Sequence, residues 1–185
     1  MLRVVDTGLD HFLKMIYRSM GWFHEYYVEA CIREGICKYL VLELDDHVIG
    51  GITYYSLEEY VVIYYVVVDE DHRRRSYGRV LVSSVEELYG DNHVFIATTS
   101  SDNHGALKLF DSLNYKPLYE EEVLNEFGAK TLDLVLKLTC GYEDDVFMIK
   151  SSKGYRVLEE LDRYEEEIVE LWYRICYKPW RNLFT

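Results

Sequence analysis

Proline, long apolar runs and positive charge are all scarce in this sequence, and each shortage excludes a class of protein or of partner. Only 2 of the 185 residues are proline, while 49% are hydrophobic and 29% are charged. That composition excludes a disordered or low-complexity chain. The longest apolar run, Tyr60 to Val68, is too short to cross a membrane. The length fits one domain with a single core.

The shortage of positive charge limits the possible partners. Lys and Arg number 20 against 33 Asp and Glu, which gives a net charge of −13. A charge of that sign repels nucleic-acid backbones and anionic membranes, and it favours cationic partners such as amines. The composition therefore predicts that the protein binds neither nucleic acid nor a membrane surface.

Cysteine is scarce as well. The four cysteines form no C-x-x-C pair and have no histidine cluster at zinc-ligand spacing, so no metal site is predicted. The first residues lack the long apolar core of a secretory signal. Together these features predict reduced thiols in a cytoplasmic protein. The four residues are Cys31, Cys37, Cys140 and Cys176.

Hydrophobic periodicity predicts a mixed α/β fold. Apolar residues recur at intervals of three and four over 9–20 and 27–32, which indicates two helices. Alternation over 39–44 and 48–55 indicates a hairpin, and the apolar run 60–68 indicates a buried central strand. The pattern continues with a helical face over 80–88, a strand over 93–99, a helix over 105–113 capped by Asp102 or Asn103, a strand from Lys116 and a strand over 131–136.

The C-terminal part differs in character, and we divide the chain into a domain over 1–140 and an extension over 141–185. Residues 146–149 can add a strand. Apolar spacing from Val157 to Ile175 predicts a long amphipathic helix with an acidic outer face at 165–167. Such a helix either packs back on the domain or forms a homodimer contact.

The segment from Val66 to Leu81 carries the clearest chemical signal. A buried strand runs into a short turn and then into a helix whose first turn holds Ser76 and Gly78. Free backbone N–H groups at a helix start bind anions, and adjacent arginines add charge, so the segment suits a pyrophosphate. Both the Walker and the dinucleotide-binding glycine patterns are absent. The run 73–75 is alternatively a solvated basic turn, a nucleic-acid contact or a docking patch.

Two motifs in this chain resemble those of the GNAT superfamily of N-acyltransferases. Arg73-x-x-Ser76-x-Gly78 is similar to the acyl-CoA-binding motif, with Ser76 standing where Gly or Ala is usual. Residues 103–115 look like the family's N-x-x-A-x-x-x-Y helix. The resemblance extends over about residues 1 to 138 in the same order. It implies a mixed, mostly antiparallel central sheet flanked by helices, to which the apolar spacing beyond residue 141 adds a C-terminal helical extension.

The resemblance also implies a site for acetyl-CoA. The end of the central strand offers its backbone to the pantetheine arm, and the amide of Val68 polarises the thioester carbonyl. Backbone N–H groups of 74–79 hold the pyrophosphate, and Asn103 contacts the cofactor. The alternative role for Asn103 is a helix cap, and the alternative role for Gly78 is helix packing. The implied cofactor-binding residues are Val66, Val67, Val68, Arg73, Arg74, Arg75, Ser76, Tyr77, Gly78, Arg79, Asn103 and Phe110.

The proton-transfer residues of the family are replaced here. Phe110 stands where the family most often has the tyrosine that protonates the thiolate, and Thr98 stands where some members have a basic glutamate. Alternation places Tyr60 and Tyr64 on one strand face. The resemblance implies substrate-side groups on that face, so we predict Tyr64, then Tyr60, as the residue that orders a deprotonating water. The alternative for both is aromatic core packing. The candidate proton donors to the thiolate are Tyr115, Tyr119 and solvent.

The implied function is acetyl transfer from acetyl-CoA to a primary amine of a cationic small molecule or peptide, by direct attack in a ternary complex. The alternative is a non-catalytic acyl-CoA-binding module that has lost its general acid, as Phe110 permits.

Overall fold

The computed structural model describes residues 1–184 and contains a seven-stranded sheet in the order β1-β2-β3-β4-β5-β7-β6. The pairs β1–β2, β2–β3, β5–β7 and β6–β7 are antiparallel. The fold class is therefore the one predicted. The chain divides into two compact units: Met1–Tyr55 with Ile63–Leu88, and Ser56–Val62 with the residues from Tyr89 onward.

The elements that make up the first unit agree closely with the sequence prediction. They are β1 (Leu2–Val5), α1 (Leu9–Met20), α2 (Trp22–Arg33), β2 (Lys38–Leu44), β3 (His47–Leu57), β4 (Tyr60–Val68) and α3 (Tyr77–Tyr89). The last two residues of β3, the first three of β4 and Tyr89 belong to the second unit. Periodicity missed only β1, since four residues are too few to show it.

The core of the first unit lies between α1, α2 and the sheet. Phe12, Ile16 and Val28 are fully buried there against Val41 and the end of β4. Gly51 makes this packing possible, because a Cβ on it would lie 2.4 Å from the Phe12 ring. Burial of that aromatic ring fixes α1 on the sheet.

The second unit contains β5 (Val94–Thr99), α4 (His104–Asp111), β6 (Lys116–Tyr119), α5 (Glu120–Thr139) and β7 (Val146–Lys150). The prediction of a strand over 131–136 is wrong, because these residues lie in α5. Their apolar positions fit a helix equally well, since Leu132, Val135 and Leu138 are buried at intervals of three. β7 was expected and lies between β5 and β6, so residues 146–150 belong to the sheet rather than to an extension.

The predicted single long helix near the C-terminus is also wrong. The chain forms a 3-10 segment (Gly154–Tyr164), α6 (Glu165–Trp172), a π-helical turn (Tyr173–Tyr177) and α7 (Lys178–Asn182). The segment packs on its own unit: the Tyr60 hydroxyl donates to the carbonyl of Val157 at 2.6 Å, and the Tyr164 hydroxyl to Glu59 at 2.8 Å. A homodimer contact stays a prediction.

The cysteines are paired, so the prediction of four reduced thiols is wrong. Cys31 bonds Cys37 in the first unit, and Cys140 bonds Cys176 in the second. Folding brings the residues together across separations of 6 and 36 positions, which form no recognisable motif. The cytoplasmic location stays a prediction, and the argument from reduced thiols no longer supports it. Among the described helices, none has both the length and the apolarity to span a membrane.

Candidate active site

The strand–turn–helix segment predicted to bind an anion is present as a defined loop. β4 ends at Val68, a short 3-10 turn covers Glu70–His72, and α3 begins at Tyr77. The Asp69 carboxylate accepts from the amide of Asp71 at 3.1 Å and so fixes the 3-10 turn. Residues 73–76 between the turn and the helix are exposed to solvent.

Most backbone amides of this loop lack internal hydrogen-bond acceptors among the described residues. Arg74 and Ser76 adopt left-handed conformations, with φ of 61° and 63°. The amide of Val80 closes the first helical hydrogen bond, onto the carbonyl of Ser76 at 3.2 Å. The amides of 74–79 have no acceptor among residues 1–184. Consecutive free N–H groups at the positive end of a helix dipole are an arrangement that can bind an anion.

The four arginines of the loop divide into two kinds. Arg73 is tied to the protein: its Nε donates to the carbonyl of Val68 at 3.0 Å, and its Nη1 lies 3.7 Å from Glu70. Arg74, Arg75 and Arg79 are exposed, and no carboxylate in the described part of the chain pairs with them. Unpaired guanidinium groups in a chain of charge −13 give this loop a local positive field.

A glycine on β3 lets the strands approach closely behind this loop. A Cβ on Gly50 would lie 3.0 Å from the carbonyl oxygen of Val67 and 3.3 Å from Leu81. Val67 is buried, whereas Val66 and Val68 on either side are half-buried. The end of β4 therefore packs closely against β3 and α3.

Tyr64 lies in a cluster of aromatic rings within the first unit. Its ring centroid is 5.5 Å from that of Tyr55 and 4.6 Å from that of Tyr65. Its hydroxyl is shielded from solvent and has no hydrogen-bond partner among the described residues. Burial raises the pKa of Tyr64 well above its usual range, and the neighbouring Tyr65, Tyr55 and Tyr27 add to the rise. Tyr64 is therefore a neutral hydroxyl, able to orient a ligand rather than to act as a base.

The hydrogen-bond partner of Tyr65, the residue after Tyr64, was not predicted from the sequence. The Nδ1 atom of His24, on α2, lies 3.0 Å from the hydroxyl oxygen of Tyr65 on β4. The two residues are 41 positions apart, and no motif links them. Only the packing of α2 on the sheet brings them together.

The other predicted site residues lie in the second unit. Tyr60 is fully buried, and its hydroxyl is used in the bond to the Val157 carbonyl. Asn103 is the N-cap of α4, with its side-chain oxygen accepting from the amide of Ala106 at 3.1 Å. Phe110 is buried with its ring centroid 5.0 Å from that of Tyr115. Each of these three side chains therefore has structural contacts that explain its position without a ligand.

The same fold occurs in solved structures of acetyltransferases. A GNAT family acetyltransferase from Bacillus cereus aligns with a TM-score of 0.54 at 20% identity, over 64% of this chain and 84% of its own. The PaiA N-acetyltransferase of Thermoplasma acidophilum, in complex with coenzyme A, aligns with 0.57 at 12% identity, over 82% and 99%. A GNAT family N-acetyltransferase of Escherichia coli in complex with CoA aligns with 0.53 at 16% identity, over 63% and 68%. At these identities the likeness shows the fold.

Family membership follows from the sequence itself. The model of the Acetyltransferase (GNAT) family matches residues 10–115, which is more than half of the chain. The matched range contains the loop over 73–79, Tyr64 and Tyr65 on β4, and α4. The chain therefore belongs to the GNAT acetyltransferase family.

Proposed function

We propose that this protein transfers an acetyl group from acetyl-CoA to the primary amine of a cationic small molecule or peptide. The loop over 73–79 carries the proposal, because it joins free backbone amides to unpaired arginines at the end of β4. Membership of the GNAT family supports the same reading. So do the coenzyme A complexes of the E. coli and Thermoplasma proteins.

The residues of the loop fit the pyrophosphate of the cofactor. The amides of 74–79 would donate to its oxygens, and the side chains of Arg74, Arg75 and Arg79 would balance its charge. Acetyl-CoA supplies the activated thioester. The backbone amide of Val68 would stabilise negative charge on the thioester oxygen as the amine attacks.

The acceptor amine is proposed from charge and chemistry. The net charge of −13 attracts a cation and raises its local concentration. The amine must lose a proton before it attacks the carbonyl carbon. The C–N bond then forms, the C–S bond breaks, and CoA leaves as a thiolate that takes a proton from solvent.

An acceptor panel tests the proposal. Polyamines, aminoglycosides, amino acids and basic peptides are mixed with acetyl-CoA, and release of the CoA thiol is followed. We expect release with at least one cationic amine, and weaker CoA binding in Arg74→Glu. Arg156→Glu is the matched control, because Arg156 is also exposed and unpaired in the described chain but lies outside the loop. No CoA binding and no turnover across the panel would refute the proposal.

The burial of Phe110 favours a second candidate, a non-catalytic acyl-CoA-binding module. A phenylalanine packed against Tyr115 cannot protonate a departing thiolate. CoA binding without turnover of any acceptor would support this module.

A further inference from the structure

The C-terminal helical segment of the second unit presents a row of aromatic rings to solvent. Successive ring centroids lie 5.8, 6.1 and 5.3 Å apart, so the rings form one continuous surface. Tyr173, Trp180 and Phe184 are 46%, 49% and 73% exposed. Monomeric proteins seldom leave a contiguous apolar patch of this kind uncovered, so the row indicates a protein–protein contact. The aromatic row consists, in order, of Tyr173, Tyr177, Trp180 and Phe184.

The segment that carries the aromatic row is fixed to its unit from the opposite side. Ile168 and Ile175 are buried on its inner face. α6 packs on α5, and the disulfide between Cys140 and Cys176 ties the π-helical turn to the end of α5. The outer face is therefore a preformed surface, and a partner that binds it has little backbone to order.

Charge divides the segment into two halves. Residues 165–170 contain four glutamates and no basic residue, whereas residues 174–181 contain three basic residues and no acidic one. Of the four glutamates, Glu165 pairs with Lys130 at 2.8 Å, and the other three have no cationic partner among residues 1–184. The basic residues also interact within their own chain, so their half offers a partner its net positive charge. The face thus has an acidic end and a basic end.

A cleft of about 840 Å³ runs along the acidic end. It is open to solvent, and its walls include Val169 and Tyr173 as well as the glutamates. A cleft with apolar and acidic walls suits a partner that brings a large ring together with a positive charge. The basic end of the same segment carries such a pair, with Trp180 next to Arg181.

We propose that this face is the contact between two copies of the chain, related by a two-fold axis, with their C-terminal segments antiparallel. Antiparallel packing places the acidic end of each copy against the basic end of the other, whereas parallel packing would bring like charges together. The two-fold axis makes the contact self-complementary and closed, so association stops at a dimer. The proposal does not depend on the acetyl transfer proposed above.

The aromatic row is large enough to form the centre of such a contact. A buried aromatic side chain covers roughly 200 Å², so the three exposed rings leave roughly 300 Å² uncovered on each copy. A standard interface buries about 800 Å² per partner, with an apolar centre and a polar rim. The row would supply the centre, and the charged ends of the segment would supply the rim.

Sedimentation equilibrium of the full chain tests the contact. We expect the wild type at micromolar concentration to have twice the 22.0 kDa of the single chain. Tyr173→Ser combined with Trp180→Ser should raise the dissociation constant of the dimer about 100-fold, because two central rings are lost. Tyr17→Ser combined with Trp22→Ser is the matched control and should leave the dimer intact. Its two rings are 54% and 58% exposed but lie in the first unit.

Charge reversal tests the antiparallel arrangement. Glu170→Arg and Arg181→Glu should each weaken the dimer about tenfold, since each places like charges across the contact. The double variant should associate more tightly than either single variant, because it restores opposite charges. A double variant that is no tighter than the single variants would overturn the antiparallel pairing.

Two results would overturn the dimer itself. One is a wild type that stays monomeric at its highest soluble concentration, and the other is a dimer that the loss of Tyr173 and Trp180 leaves intact. A monomer that binds an arginine-rich peptide through the aromatic row would assign the face to a different, cationic partner and would equally refute self-association. Circular dichroism checks that each variant folds. If the serine variant does not, Trp180→Ala combined with Phe184→Ala replaces it, since both of these rings are about half exposed or more.

Discussion

Arg73 donates from Nε to the carbonyl oxygen of Val68, so the first arginine of the loop is bonded to the last residue of β4. Its Nη1 also lies 3.7 Å from Glu70. Arg74, one position further, has a left-handed backbone and no ionic partner among residues 1–184. Adjacent residues of one type therefore differ: Arg73 is bonded to the strand end, whereas Arg74 is left for the anion binding that we propose.

We expect Arg73→Gln and Arg74→Gln to separate these roles. Loss of the Arg73 hydrogen bond should lower the free energy of unfolding by about 1 kcal/mol. Arg74→Gln should leave that energy unchanged and weaken CoA binding about tenfold, or about 1.4 kcal/mol. Denaturant unfolding and calorimetric titration with CoA measure the two effects. Equal stability loss in both variants would contradict the distinction.

Tyr60 should make the stability of the protein depend on alkaline pH. Burial, and then the nearby Glu59, raise the pKa of Tyr60. The folded state therefore keeps the proton at a pH where the unfolded chain has lost it. The stabilisation from Tyr60 is complete below about pH 10 and is lost as the pH rises above it, at up to about 1.4 kcal/mol per pH unit.

The variant Tyr60→Phe isolates that dependence. At pH 8 it should be less stable than the wild type by about 1 kcal/mol, because it lacks the hydrogen bond to Val157. Urea unfolding should show that the difference in free energy of unfolding between Tyr60→Phe and the wild type narrows above pH 10. Tyr17→Phe, which changes an exposed tyrosine, should follow the wild type at every pH. A constant gap between Tyr60→Phe and the wild type would show that Tyr60 does not titrate as proposed.

The two disulfides should contribute unequally to stability. The loop closed by Cys140 and Cys176 spans 36 positions and that closed by Cys31 and Cys37 spans 6. Chain-entropy arguments give about 3–4 kcal/mol for the first and about 2 kcal/mol for the second. Paired Cys→Ala variants, unfolded without reductant, measure each contribution. Alkylation of unreduced protein, followed by mass spectrometry, should find no reactive thiol; labelling of all four would contradict the pairing.

Phe110→Tyr should destabilise the protein without raising kcat. The ring is buried against Tyr115, so a new hydroxyl would lose its hydration, at a cost of about 1–3 kcal/mol. Thermal unfolding and the acceptor assay measure both quantities. Phe184→Tyr is the matched control at an exposed ring. A stable variant with higher kcat would show that a hydroxyl at this position can reach the thiolate.

Local patterns predicted the candidate cofactor loop, whereas the pairing of His24 with Tyr65 is visible only in tertiary contacts. Residues 60–68 form a strand because an apolar run of that length is buried on both faces, and the motif over 73–78 is contiguous in sequence. The pair His24 and Tyr65 joins a helix to a strand 41 positions away, which no periodicity encodes. The failure at 131–136 has a different cause, since six residues are too few to distinguish a period of 2 from one of 3.6.

The position of β7 determines when the second unit can form during synthesis. β5 and β6 both precede it in the chain, yet each pairs with β7, the strand between them. Until residue 150 has left the ribosome, both earlier strands keep unpaired edges that can pair with other chains. A fragment ending at residue 140 would carry those edges permanently. Residues 146–150 are therefore needed to complete the sheet, and without them two strand edges would stay open to pairing with other chains.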